Sequence, residues 1–346
     1  MQEIHDNLNA KASRQSFWSV ALFVFTFAMA CSGLVVALWP EFGFSQMVST
    51  TMVFAQLLAF PLATGAGLIV VGFIAFGLCW RRRSRLLAAV VSLTVALVGI
   101  ALIVFPHGLP QSLPPSEGNF KRVLTVVTFN SGSMLTNAVF QELLDEVTPD
   151  VIVLPETTLM DAKRVAGTVG FDSVAFEPLE TGFTRTYDGQ IAPTTILINR
   201  TLGEAKQLHG PATSFGTVAI EFEDPSLPII LGIHSAPPLP GLMEQWRKDV
   251  SRVVEFAESS NKPIILAGDF NATLRHGKLA ARAVLIDSQE HCSHWQTGTW
   301  PAQLPNFLRT PIDHILVSPS MKTRSCQSIL LKKSDHLAYS TEVSVR

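Results

Sequence analysis

Charge is scarce in this sequence. Asp, Glu, Lys and Arg make up 16% of its 346 residues and balance to a formal −2. With no basic excess there is no global field to draw in nucleic acid, which argues against that partner. The same scarcity, with 47% hydrophobic residues and a mean hydropathy of +0.31, excludes a chain that is ordinary soluble domain throughout. It points to a membrane portion joined to a globular one. No internal repeat or long low-complexity tract is present, which excludes a repeat architecture. Cysteine is sparse too, at four residues. Cys31 and Cys79 fall in apolar runs and read as small apolar fillers. Cys292 and Cys326 fall in the C-terminal part, where a disulfide can persist outside the cytoplasm, and the sequence leaves their pairing open.

Three early runs have no charge at all: FWSVALFVFTFAMACSGLVVALW (17–39), MVFAQLLAFPLATGAGLIVVGFIAFGLCW (52–80) and LLAAVVSLTVALVGIALIVF (86–105). Each reaches the roughly 20 residues that cross a hydrocarbon core, the second with tilt or a kink near Pro61. Three such runs do not fit a signal peptide, which is single and followed by a cleavage site. Positive charge marks the cytoplasmic side. Lys11 and Arg14 precede the first run and RRRSR (81–85) separates the second from the third, while PEFGFSQ after the first has none. The expected organisation is a cytoplasmic tail (1–16), three transmembrane helices (17–105), a Pro/Gly/Ser-rich linker (106–119) and an extracytoplasmic domain (120–346) in the plasma membrane.

In that last domain, strand and helix signals alternate. RVLTVVTFN (122–130), VIVLPE (151–156), TTILINR (194–200), TVAIEFE (217–223), LPIILGIHS (227–235), PIILAGDFN (263–271), IDHILVS (312–318) and a last pair near 325–345 read as strands. Residues 137–150, with Phe140, Leu143 and Leu144 on one face, and about 241–259, with Trp246, Val250, Val253 and Val254, read as amphipathic helices. Strands buried on both faces and mixed with helices predict an α/β fold, a four-layered sandwich of two sheets flanked by helices.

Polar residues stand where those apolar runs stop: Asn130, Glu156, His234, Asp269, Asn271, Asp313, and Asp335 with His336. Any one has a bland explanation as a turn residue. Together, hard oxygen ligands and two histidines are what a magnesium-dependent phosphoryl-transfer site requires.

The motifs VVTFN, DVIVLPE, IHSAPP, LAGDFNA, IDHI and SDHLA occur in the order of the endonuclease/exonuclease/phosphatase superfamily, which the domain resembles over essentially its whole length. Pro155 departs from the pattern, since many members carry glutamine before the glutamate. The layout of three apolar runs before a compact domain also resembles the membrane-bound teicoplanin-resistance proteins of actinomycetes. The resemblance implies Glu156 as the principal Mg²⁺ ligand, with Mn²⁺ or Ca²⁺ as alternatives, Asn130 close by, and Asp335 on a second metal or bracing the first. It implies His336 facing the phosphorus and oriented by Asp313, as base or as cationic stabiliser. Asp269 would position water or assist the leaving group, and Asn271 and His234 would donate to phosphoryl oxygens.

Other polar residues carry less. Arg275 and His276 follow the GDFN strand and could touch a substrate phosphate, but read first as a solvated turn. His291, Cys292 and His294 crowd together, but H-C-x-H fits no zinc signature, so the stretch reads as a loop. Trp300 reads as part of the pocket rim, with packing on the core as the alternative. One fold hosts many functions, so substrate has to be argued from topology. An anchored, outward-facing site points to a lipid phosphate or pyrophosphate of the undecaprenyl-pyrophosphate type. The alternatives are a phosphodiesterase acting on phospholipid headgroups or extracellular nucleic acid, and a non-catalytic protein that binds envelope lipid. Nothing in the sequence sets an oligomeric state.

Overall fold

The computed structural model describes residues 20–21, 23–79, 85–109, 120–180, 191–292 and 298–345. The tail with Lys11 and Arg14, the arginines at 81–83, linker residues 110–119 and His294 lie outside the described residues. The chain forms two compact units, Met1–Ser45 with Pro61–Pro110, and Gln46–Phe60 with Gln111–Arg346.

The first unit is built from apolar helices, α1 (Phe23–Leu38), α4 (Pro61–Cys79) and α5 (Arg85–Val104). Among the described residues, Pro61–Leu78 is the one stretch long and apolar enough to cross a bilayer by itself. Helix α2 (Gly43–Ser49) follows α1 at a bend of 94°, and the apolar part of α5, Ala89–Val104, is shorter. Helices α4 and α5 pack antiparallel through small residues: a Cβ on Gly65 would lie 2.5 Å from the Gly99 carbonyl, and one on Gly72 would meet Ser92 and Ala96.

The run expected to span at 52–80 is not one helix. Helix α3 (Phe54–Ala59) stops at Phe60 and α4 starts at Pro61. Proline has no N–H to carry the ladder on, and it disfavours helical backbone in the residue before it. Residues 46–60 belong to the second unit, where Ala55 is fully buried in one core cluster with Phe215, Trp246 and Leu274. Residues 52–60 of the expected second run therefore lie in the second unit, and α4 covers the rest of that run as far as Cys79.

The second unit is the expected α/β sandwich. Strands β1 (Arg122–Thr128), β2 (Val151–Leu154), β3 (Ser173–Phe176), β4 (Thr195–Asn199), β11 (Lys322–Ile329) and β12 (Ala338–Val345) form one sheet, in the order β11-β12-β1-β2-β4-β3. Strands β5 (Ala205–Leu208), β6 (Thr217–Phe222), β7 (Ile229–His234), β8 (Ile264–Asp269), β9 (Ile286–Asp287) and β10 (Asp313–Val317) form the other, in the order β5-β6-β7-β8-β10-β9. The pairs β1–β2 and β7–β8 are parallel. Side chains alternate across each strand. Leu124 and Val126 meet Ile230, Ile265 and Ile315 between the sheets. Val127 and Phe129 face the helices α6 (Asn137–Glu146) and α7 (Leu159–Val169) instead. On the second sheet, α8 (Met243–Glu258) buries Trp246, Val250, Val253 and Val254 against Leu231 and Leu266. Thr136 and Thr158 cap α6 and α7 by accepting from Val139 N and Asp161 N. Helix α7 and the short strands β3, β5 and β9 have no counterpart in the sequence reading.

Candidate active site

Pairing registers bring the polar residues to one end of the sandwich. Strands β7, β8 and β10 are neighbours, with His234 opposite Asp269 and Asp269 opposite Asp313. Gly268 makes this possible: its φ is +147°, and a Cβ there would lie 2.0 Å from the Ile233 carbonyl oxygen. Only glycine lets β8 press so closely on β7 one residue before the carboxylate.

In the facing sheet, Phe129 N donates to Val153 O and Ser131 N to Pro155 O, so β1 and β2 stay together past their ends. That carries Asn130 and Glu156 to the same level. Glu156 has φ +53°, a left-handed conformation that persists only when its surroundings hold it. Ser131 Oγ and Ser133 N both donate to its carbonyl, at 3.0 and 3.1 Å. His336 lies just before β12. Its N–H donates to Ser334 Oγ, which in turn donates to Asn130 O at 2.7 Å.

Asn130 Nδ2 donates to Glu156 Oε1 at 3.1 Å and to Asp269 Oδ2 at 3.0 Å. His234 Nε2 stands 3.8 and 3.7 Å from the same two oxygens, too far for hydrogen bonds. His234 stacks on Phe215 with centroids 4.5 Å apart, and its Nδ1 is buried without a hydrogen-bond partner. Burial pushes its pKa down, against the opposing pull of Asp269, so the ring is neutral. His336 is different. Its Nδ1 bonds Asp313 Oδ2 at 2.8 Å, and its Nε2 lies 3.9 Å from Asp269 Oδ2. Burial alone would lower its pKa, but the charge and hydrogen bond of Asp313, helped by Asp269 and Asp335, raise it to about 10. Burial first, then the Asp313 charge, raise the Asp269 carboxyl.

Residues 127–336, more than half of the chain, match the Endonuclease/Exonuclease/phosphatase family. The chain belongs to that family. Its members are metal-dependent phosphoester hydrolases, and this chain is one of them. No curated protein sequence matches it. Among solved structures, Danio rerio TDP2 complexed with a single-strand DNA product is similar at 16% identity, over 65% of this chain and 100% of that one, with a TM-score of 0.50. A humanized D. rerio TDP2 is similar at 17% identity, over 64% of this chain and 99% of that one, also at 0.50. The Bacteroides thetaiotaomicron mannosyl-6-phosphatase Bt3783 is similar at 18% identity, over 64% and 99%, at 0.46. At these identities the likeness is one of fold.

The donors here suit the family's divalent cation. Glu156 reaches solvent, its side chain 24% exposed, and Asp269 supplies a second carboxylate oxygen beside it on the same Asn130 amide. One or two carboxylates with remaining positions open to water is the set that Mg²⁺ takes. A cation bound there would neutralise charge on phosphoryl oxygens. The other candidate residues divide differently from expectation. Asn130 joins the two carboxylates through Nδ2, and its Oδ1 accepts from Gly132 N at 3.0 Å. Asn271, at φ +47°, gives one amide N–H to Ser235 O and keeps its second. Asp335 Oδ2 accepts from Trp300 Nε1 at 2.8 Å. Among the described residues the one close three-residue group of metal-binding side chains is Asp269, Asp313 and His336, without Asp335. His336 Nδ1 is already bonded to Asp313 and so is not free to ligate, whereas Glu156, which reaches solvent, and Asp269 could hold a cation between them.

Arg275 and His276 are not a solvated turn. Both are buried; His276 Nδ1 accepts from Thr273 N at 2.8 Å and Nε2 donates to Ala55 O at 3.0 Å. Burial lowers the His276 pKa to about 4, which fixes that neutral tautomer. Cys292 and Cys326 are joined as a disulfide, so Cys292 offers no thiolate to zinc. Two further residues were missed altogether. Thr299 Oγ1 accepts from Asp313 N at 3.2 Å, and His314, fully buried, pairs with Asp287. The alternation of β10 was the available signal, since it turns His314 away from Asp313.

The metal assignment has a direct check. Glu156→Gln keeps the side-chain shape and removes the anion, so calorimetric titration should show Mg²⁺ binding weakened at least tenfold, with turnover falling alongside. A variant that binds Mg²⁺ like the parent would move the anchor from Glu156 to the buried carboxylates.

Proposed function

We propose that this hydrolase is a membrane-anchored, Mg²⁺-dependent phosphatase of a lipid phosphate or pyrophosphate, working on the extracytoplasmic face. The undecaprenyl-pyrophosphate type of carrier is the preferred substrate. The observation that carries the reading is the membership of Gln46–Phe60 in the unit that holds the active site. The chain leaves that unit at Phe60 and rejoins it at Gln111, and the two helices in between, α4 and α5, are antiparallel partners. An apolar hairpin that departs from and returns to one folded unit fits a bilayer entered and left on the same side. The basic run Arg81–Arg85, which lies between α4 and α5 in the sequence, then favours the cytoplasm for that connection and the exterior for the active site.

Two more observations support it. The Cys292–Cys326 disulfide belongs with an oxidising compartment. Val53, Phe54 and Leu57 are exposed on and beside α3, immediately before the apolar α4, and give hydrocarbon on a substrate an apolar surface to lie on. Chemically, water is added across a P–O–P or P–O–C bond, releasing phosphate and leaving the shortened lipid in the membrane.

The purified full-length protein with Mg²⁺ should hydrolyse lipid pyrophosphate at least a hundredfold faster than phospholipid or plasmid DNA offered in parallel. A reporter fused after Arg346 should be active only outside the cytoplasm. Preference for DNA or phospholipid would replace this reading with a phosphodiesterase, and cytoplasmic reporter activity would remove the argument from topology.

A further inference from the structure

Gln46–Phe60 lies outside the family match at 127–336, yet it touches the surroundings of three of the strand ends and loops that build the site. Gln56 Nε2 donates to the carbonyl of Pro238, in the loop that follows His234. Ala55 O accepts from His276 Nε2 at 3.0 Å, and Ser49 Oγ accepts from Gly277 N at 3.1 Å. His276 in turn accepts from Thr273 N, two residues beyond Asn271. The Phe60 ring sits 6.4 Å from that of Trp300, tilted by 49°. Trp300 donates its indole N–H to Asp335, the neighbour of His336. Three loops, carrying or following His234, Asp269–Asn271 and His336, are thus tied to one short segment.

The segment is firmly held. Ala55 is fully buried and Leu58 is 6% exposed, and Arg247 Nη1 donates to Thr50 O at 3.0 Å. Val53 adopts φ +72°, an outlier for a β-branched residue that needs external contacts to persist. A helix of six residues has too few internal hydrogen bonds to be stable alone. Its order comes from the loops it touches, and theirs comes in part from it.

We infer that Gln46–Phe60 is a strap that positions the active-site loops, with Gln56 and Phe60 as positioning residues and Trp300 relaying the contact to Asp335 beside His336. Catalysis therefore depends on a segment that the domain at 127–336 does not contain and that leads directly into α4. This rests on the reading of the site as the phosphoryl-transfer centre and is independent of which phosphoester is cleaved.

The test uses the full-length protein in detergent micelles or nanodiscs with Gln56→Ala, Phe60→Ala and the conservative Phe60→Tyr, assayed on whichever phosphoester the parent turns over. Small displacements of catalytic groups cost up to about 10²-fold. Phe60→Ala should lower kcat by about 10-fold to 100-fold with KM little changed, and Phe60→Tyr should restore most of it. Hydrogen–deuterium exchange should rise in 235–241, 270–277 and 334–336 and stay at the parent level in α6 and β11. Parent-like kcat and exchange in both alanine variants would overturn the inference. So would exchange that rises evenly across the unit, since that is a general stabilising role. If Phe60→Ala fails to fold, Gln56→Ala, which loses one hydrogen bond, decides by the same readouts. An enzyme that ignores lipid pyrophosphate refutes the substrate reading while the exchange pattern still decides the strap.

Discussion

His336→Ala is expected to lower kcat by roughly 10²–10⁴, the range of general acid–base participation. The imidazole is held on one side by Asp313, at 2.8 Å, and its Nε2 faces Asp269 across 3.9 Å. With a pKa raised to about 10, it carries its proton throughout the neutral range. In that protonated form it would donate to a phosphoryl oxygen or leaving group. Asp313→Asn keeps the packing and removes the charge that raises this pKa, so it should cost somewhat less. The double variant should be little worse than His336→Ala, because groups acting as one unit are not additive. His234→Ala, a neutral ring with its own stacking partner, should act separately. The pH profile gives a sharper check. If the protonated form is the active one, rate is flat through neutrality and lost as pH rises through about 10. In Asp313→Asn that alkaline limb should move to lower pH. Losses that simply multiply, or a limb that stays in place, would dissolve the pair.

The parts of this site that could be read in the sequence are those with local signals. Each polar residue follows an apolar run, and in a layered α/β sandwich a buried strand is such a run. Where the run breaks at Gly268-Asp269, the break marks the sheet's edge. The sequence could not distinguish two apolar media. Ala55 and Leu58 look like membrane residues, but they are buried in protein, and hydropathy has the same value in both settings. Arg275 and His276 were misread because burial is set by distant chain: the carbonyl that His276 meets, Ala55, lies 221 residues earlier. Asp335 stands in SDHLA beside His336, but neighbours in sequence point to different partners, and its carboxylate turns to Trp300. Asn130 stands beside Glu156 as expected, but the sequence carries no sign that its amide also bonds Asp269 across the two sheets.

His314→Leu is expected to destabilise the catalytic unit by about 3–5 kcal/mol, the cost of breaking a buried ion pair from one side. His314 and Asp287 are both wholly buried, with Nδ1 at 2.5 Å from Asp287 Oδ2 and Nε2 at 2.8 Å from Ala272 O. Both ring nitrogens face acceptors, so both carry protons and the ring is an imidazolium. Burial opposes that charge, but Asp287 prevails through its own charge and hydrogen bond, and the pKa is raised. Leucine would leave the Asp287 carboxylate in the core with no cation. Replacing both partners by apolar residues should recover much of the loss, because the charge to be buried is gone. The sign of the pH dependence follows from the raised pKa. The pair's contribution is complete below the unfolded histidine value of about 6.5 and is lost as pH rises through the folded value. His336 contributes in the same direction, so the difference between parent and His314→Leu isolates this pair. Guanidinium midpoints of the catalytic unit, followed by near-UV circular dichroism, should therefore converge between parent and variant as pH becomes alkaline. A constant gap across that range would mean that His314 packs as a neutral ring, and that its removal costs volume and not charge.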